Sequence, residues 1–323
     1  MITLGIESTA HTFGVGVLKD NEIISNEKMV FSPTEGGIIP REAMDHHFAN
    51  ANEIYLAALK SAKIDESKID LVAFSQGPGL APCLRVGGFV SRYLAQKLDV
   101  PIMGVNHCIA HIDVGKELTK MNDPITLYVS GGNTQIIGLE AMHYRVFGET
   151  LDIAIGNCLD QFARRAGIPF PGGPKIEKLA SKSNNLLDLP YTVKGMDFSF
   201  SGIMTASTKL LESEKLEDIC FSLQETAFAE LVEATERAMA HTEKKECMLT
   251  GGVAANKKLQ GMLKIMCEER GAKFDTVPMK YAGDNGAMIG MTGYKMFKAG
   301  IRHKISETTI QQRFRTDEVK VSW

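Results

Sequence analysis

Apolar and polar positions alternate from the start of the chain. Ile2, Leu4 and Ile6 are followed by the polar stretch Glu7-Ser8-Thr9-Ala10, and alternation resumes at Phe13, Val15 and Val17. A period of two on both sides of a small polar turn predicts a β-hairpin. The pattern recurs with Ile125, Leu127 and Val129, the turn Ser130-Gly131-Gly132-Asn133-Thr134, and then Ile136, Ile137 and Leu139. A third run, Cys247-Met248-Leu249, meets Thr250-Gly251-Gly252 and a helical period from about Asn256 to Arg270. There Leu259, Met262, Leu263 and Met266 share one face, and Gly271 supplies a C-terminal stop. Helical spacing also covers 41–62, 107–120 behind a short strand at Ile102–Val105, 154–166, 218–241 and 284–298. Alternating strands and helices predict an α/β class. Two strand–turn–strand units far apart in the chain predict a duplicated domain with the crossing near Asn122-Asp123-Pro124. The expected division is a first domain of 1–123, completed by about 290–323, and a second of 124–289.

Composition narrows the class. The 323 residues are 44% apolar and 23% charged, a soluble globular balance, and the length suits two domains. The formal net charge of -3 gives no global basic footprint for nucleic acid. Any RNA contact must come from a local patch, for which Arg164, Arg165, Lys175, Lys178 and Lys182 are candidates, or from a partner. Six cysteines form no CxxC pair, so neither a thiolate metal knuckle nor a redox dithiol is indicated. The N-terminus lacks a signal-peptide pattern, and no apolar run approaches the ~20 residues of a membrane helix. A cytoplasmic protein without membrane contact is expected.

Two constellations carry chemistry. Ser130-Gly131-Gly132-Asn133-Thr134, Thr250-Gly251-Gly252 at the mouth of a helix, and Pro171-Gly172-Gly173-Pro174 opening a helix with Glu177 all offer free N–H groups without bulk. Such turns let a backbone approach phosphate closely. Neither a P-loop nor a dinucleotide fingerprint is present. The second constellation is His107 and His111, at i and i+4 in Asn106-His107-Cys108-Ile109-Ala110-His111, where both rings can share a metal. The Glu of a zincin protease is replaced by Cys108. Asp113, Asp152, Asp160 and Asp284 are candidates for a third ligand, and Asp284 stands in the polar loop Ala282-Gly283-Asp284-Asn285-Gly286.

These residues, taken in order, resemble the glycoprotease-named family whose members are tRNA threonylcarbamoyladenosine synthases. The matching stretches are Gly5–Thr12, Gln76–Gly79, Val105–His111, Tyr128–Gln135, Phe170–Pro174, Leu249–Asn256 and Gly283–Met288, spread across nearly the whole chain. Tyr128, Asn133 and the Ala10-His11-Thr12 run are similar to the archaeal and eukaryotic branch, the catalytic subunit of the KEOPS complex; Ser8 departs from the glycine usual there. The resemblance implies an actin-like ATPase fold (that of sugar kinases, Hsp70 and actin), with two duplicated domains and a nucleotide cleft between them. It implies one metal ion on His107, His111, Tyr128 and Asp284, iron by preference for a phenolate and zinc as the alternative. It assigns Tyr128, Val129, Ser130, Gly131 and Gly132 to threonylcarbamoyl-adenylate, Asp160, Gly173 and Glu177 to the ribose end, and Asn256 to the adenine or ribose.

The implied activity transfers the threonylcarbamoyl group to N6 of the adenosine 3′ of the anticodon, in tRNAs reading codons that begin with A, with release of AMP. No covalent nucleophile is assigned. The implied partners are tRNA, a small atypical protein kinase, separate or fused, and other KEOPS subunits; ATP is a further candidate ligand. Three competing readings remain on the residues themselves. A small-molecule kinase of the same superfamily would use an acidic base and Mg²⁺ without histidine ligands. A metalloprotease would need a base from elsewhere. A nucleotide-gated scaffold would have no use for a histidine–aspartate metal site.

Overall fold

The computed structural model describes residues 1–32 and 38–323. The chain divides into two compact units. The first comprises Met1–Val114, Ala141–Tyr144 and Asp284–Trp323; the second comprises Gly115–Glu140 and Arg145–Gly283. The chain thus changes unit at 114/115, 140/141, 144/145 and 283/284, where the expected crossings were 123/124 and about 290.

The first unit is built on strands β1 (Ile2–Glu7), β2 (Thr12–Lys19), β3 (Glu22–Val30), β4 (Leu71–Gly77) and β5 (Ile102–Asn106), in the order β3-β2-β1-β4-β5. β1, β2 and β3 form an antiparallel meander, and β4 and β5 extend it in parallel. Helices α1 (Pro40–Ala62) and α2 (Ala81–Leu98) pack on each other and on this sheet, and α3 (His107–Thr119) follows β5 directly. The second unit carries β6 (Ile125–Val129), β7 (Thr134–Glu140), β8 (His143–Glu149, whose first two residues fall in the first unit), β11 (Glu246–Thr250) and β12 (Lys273–Thr276), in the order β12-β11-β6-β7-β8. Its other elements are α4 (Ile155–Arg165), α5 (Gly172–Ala180), the small β9–β10 ribbon (Val193–Lys194, Asp197–Phe198), α6 (Ser201–Lys209), α7 (Leu216–Thr242), α8 (Lys257–Glu269) and α9 (Met279–Ala282). The last helix, α10 (Gly286–Lys298), packs against β1, β2 and β4 of the first unit.

Both predicted hairpins form, with Ile6 opposite Val15 and Leu127 opposite Ile136. Each unit has its own core. In the first, Leu4, Ile6, Val15 and Val17 meet Ile54, Ala58 and Leu94 from the helices. In the second, Leu127, Val129, Phe162, Phe228 and Leu263 are fully or nearly fully buried together. Burying each such large apolar side chain contributes about 1.5–3 kcal/mol. α8 ends as its sequence predicts. Gly271 takes φ +60°, and Gly271 and Ala272 donate back to Glu268 and Cys267.

Several elements were not visible in the pattern, β4 and α2 among them. β4 is buried along all seven residues, so it shows no alternation. α2 contains Gly87-Gly88, and glycine inside a helix weakens its signal in the sequence. Packing explains Gly87, because a Cβ there would lie 2.0 Å from Ser8 Oγ.

Candidate metal and nucleotide sites

The first site begins with alternation in β1. Leu4 and Ile6 face α1 and α2, so Gly5 and Glu7 face the other side of the sheet, where α10 lies. α10 approaches so closely that a Cβ on Gly5 would stand 2.2 Å from Gly286 O. Asn285 caps this helix by accepting from Met288 N, and the preceding residue, Asp284, is brought to the end of β1. Asn106 ends β5 and accepts from Cys108 N and Ile109 N, which starts α3 with His107 and His111 one turn apart.

His107, His111 and Asp284 offer one ligand atom each, all within 4.8 Å of one another. Asp284 Oδ1 lies 3.2 Å from His111 Nε2 and 3.5 Å from His107 Nε2. Glu7, fully buried, completes the cluster from behind. Its Oε2 accepts from His107 Nδ1 at 3.0 Å, while Oε1 accepts from Thr9 N at 2.6 Å. With Nδ1–H held by a carboxylate, His107 turns Nε2 toward Asp284, as a metal-binding imidazole does.

The electrostatics favour a cation. Burial pulls the His107 pKa down, but the Glu7 and Asp284 carboxylates outweigh it and hold it at about 9. Burial also lowers His111, with only partial opposition from Asp284. For Asp284 burial acts upward, yet His111, His107 and His11 bring its carboxyl well below the usual range. Two carboxylates around two imidazoles therefore attract positive charge, and a divalent ion competes with protons for the same atoms.

Of the four candidate aspartates, Asp284 alone joins the histidines. Asp113 accepts from Thr292 Oγ1 at 3.0 Å and Trp323 Nε1 at 2.8 Å. Asp152 caps α6 through Phe200 N and Ser201 N, and Asp160 accepts from Gly172 N. Glu7, Thr9 and His11 were missed by sequence reasoning. The available signal was an acid on the face of β1 opposite its apolar residues. Cys108 is buried and its thiol is pushed up to about 11 by that burial, which removes it as a nucleophile. The other five cysteines are also buried and unbridged.

The second site lies wholly in the second unit. Ser130 accepts at Oγ from Asn133 N at 2.9 Å and donates its own N–H to Asn133 O at 2.8 Å, closing a tight turn. Gly131 and Gly132 are exposed at its tip, with nothing within 4 Å of where a Cβ would be. Gly156 at the start of α4 donates to Ser130 O, and Gly251, at φ +100°, passes so close that a Cβ would lie 2.1 Å from Val129 O. Asp160 on α4 receives Gly172 N, which places Gly172-Gly173 and α5 beside α4. Glu177 on α5 accepts from Lys257 N at 2.7 Å, at the start of α8. All three glycine turns thus belong to one connected cluster. Asn256 is committed locally: its Oδ1 caps α8 and its Nδ2 donates to Gln224 Oε1 at 2.9 Å. Tyr128 is buried on β6, in register with Thr250. Burial raises the Asp160 carboxyl.

The family model for TsaD, tRNA N6-adenosine threonylcarbamoyltransferase, matches residues 20–291. A protein of that name from Thermococcus sibiricus is 54% identical over 325 aligned residues, covering 100% of both chains. The chain belongs to this family. A Methanocaldococcus jannaschii relative, named a probable bifunctional tRNA threonylcarbamoyladenosine biosynthesis protein, is also 54% identical over 100% of this chain, which spans 60% of that protein. Among solved structures, Thermococcus kodakarensis HypF superposes with TM-score 0.66 at 14% identity, over 95% of this chain and 49% of that one. The activator of 2-hydroxyisocaproyl-CoA dehydratase from Clostridium difficile does so at 0.57 and 11%, over 94% and 99%. For this TsaD-family chain those two likenesses bear on fold alone, the two-domain actin-like α/β architecture. No helix among the described residues is long and apolar enough to cross a membrane.

Proposed function

We propose that this chain transfers a threonylcarbamoyl group from threonylcarbamoyl-adenylate to N6 of the tRNA adenosine 3′ of the anticodon, releasing AMP. The observation that carries the reading is full-length 54% identity to a tRNA N6-adenosine threonylcarbamoyltransferase, joined to the His107–His111–Asp284 cluster. Two imidazoles and a carboxylate suit iron or zinc and leave coordination positions open. When bound, such an ion supplies Lewis-acid polarisation of a carbonyl, which a poor amine nucleophile needs.

The chain's own residues do the rest. Glu7 fixes the His107 ring, and Asp284 faces both Nε2 atoms. In the second unit, the exposed Gly131–Gly132 tip lets the adenylate phosphate approach the backbone, with the Gly131 N–H, which the turn's own hydrogen bonds do not use, as its donor. Asp160, Gly173 and Glu177 serve the ribose, with Asn256 holding the adenine-side wall in place. The kinase alternative lacks support in a buried histidine pair; for the protease alternative the zincin glutamate position is Cys108, and Glu7 is committed to His107 Nδ1 and Thr9 N.

The protein works in the cytoplasm on tRNA with a separate or fused kinase and further KEOPS-type subunits. The bifunctional relatives, longer than this chain, support a partner module. The test supplies purified chain with threonylcarbamoyl-adenylate, partner subunits and a tRNA reading codons that begin with A. Mass spectrometry of the digested nucleosides should show N6-threonylcarbamoyladenosine. Its absence, with phosphorylation of a small molecule from ATP instead, would transfer the case to the kinase.

A further inference from the structure

We infer that His11 is a third imidazole donor of the metal centre, drawn onto a divalent ion when one binds. This deepens the metal reading above and rests on it. The backbone around His11 is pinned at every residue. Ser8 N donates to Ser75 Oγ at 3.0 Å, and Thr9 N donates to Glu7. Thr9 O accepts from Leu80 N, Ala10 O from the buried His47 Nε2 at 3.0 Å, and His11 O from Phe31 N at 2.7 Å. What remains free is the His11 side chain, which is 44% exposed.

That side chain already faces the right atom. Asp284 turns Oδ1 to His107 and His111, and its other oxygen, Oδ2, lies 3.9 Å from His11 Nδ1. Two donors bound to one ion at ~2.1 Å each can stand at most ~4.2 Å apart. The separations of His111 and His107 from Oδ1, 3.2 and 3.5 Å, and of His11 from Oδ2, 3.9 Å, each fall inside that span, so an ion held by both oxygens of Asp284 comes within reach of His11. His11 stands outside the tight three-donor cluster, so joining it takes a turn of the His11 side-chain torsions. Half exposure leaves room for that turn, whereas the other two rings are locked by burial. A plain ion-pair contact at such an exposed position would be weak and would leave the metal's coordination unchanged.

Cobalt(II) titration of the full, chelator-stripped chain, read by visible absorption, separates these cases. His11→Ala should weaken Co(II) binding about tenfold and alter the d–d band. His11→Cys should add a thiolate-to-cobalt charge-transfer band that the wild-type chain lacks. His143→Ala, a half-buried histidine of the same unit, should change neither. Wild-type affinity and spectra in both His11 variants would overturn the inference while leaving the metal reading standing. So would weakened affinity with an unchanged d–d band and no charge-transfer band, because His11 would then act only through Asp284. An equal effect of His143→Ala would overturn it as non-specific. If the wild-type chain takes up no Co(II), the metal reading itself fails and this inference falls with it.

Discussion

The two units have the same sheet, a three-stranded antiparallel meander extended by two parallel strands, yet the turn after the first strand differs completely between them. In the first unit, Glu7, Ser8 and Thr9 are buried, and the turn is held by side-chain hydrogen bonds. In the second, Gly131 and Gly132 stand exposed with open space around them. One frame therefore serves two chemistries. A buried acid at the strand end holds the ring of one histidine of a pair, and at the same topological place in the second unit stands an exposed glycine turn, to which the proposed function assigns the adenylate phosphate.

The sharpest test of this division is Asp284→Ala. It should remove bound metal, measured by elemental analysis, and lower transfer by about two to three orders of magnitude, the size of losing one electrostatic stabiliser. Adenylate affinity, measured by calorimetry, should stay within about twofold if the two units hold separate jobs. Gly131→Leu is the reciprocal change. A Cβ there meets no protein atom within 4 Å, so thermal stability should hold, while AMP or adenylate binding should weaken by about 10- to 100-fold and metal content stay unchanged. Loss of metal in that variant would erase the distinction.

Glu7→Gln should act more mildly, lowering metal affinity by about tenfold through the His107 ring, with chelator competition as the readout. The smallest effect is expected at Glu230 on α7, which accepts from Thr192 N and whose pKa burial raises from 4.5 to about 7. A raised carboxyl pKa means that the folded state holds its proton more tightly than the unfolded chain. The stabilisation is full below about pH 4.5, declines as pH rises through about 7, and is absent above it. Glu230→Gln should therefore raise Tm by a few degrees at pH 8 and lose that advantage toward pH 4, by calorimetry across pH. An equal shift at both pH values would mean that ionisation of Glu230 is not responsible.

What the sequence determined by itself was local. Covalent spacing sets which side of a strand or helix a residue faces, so the two hairpins, the α8 stop at Gly271 and the shared face of His107 and His111 were all legible. So was the glycine turn at 130–134, which stands exposed at 131 and 132. Tertiary structure alone decided which of four aspartates meets the histidines, that Glu7 stands behind His107, and that Gly87 belongs inside a helix because Ser8 crosses it. Residues 7, 107 and 284 meet through the β1–β4–β5 pairing and the close seating of α10 on Gly5. Those are long-range contacts, and no period within one segment encodes them.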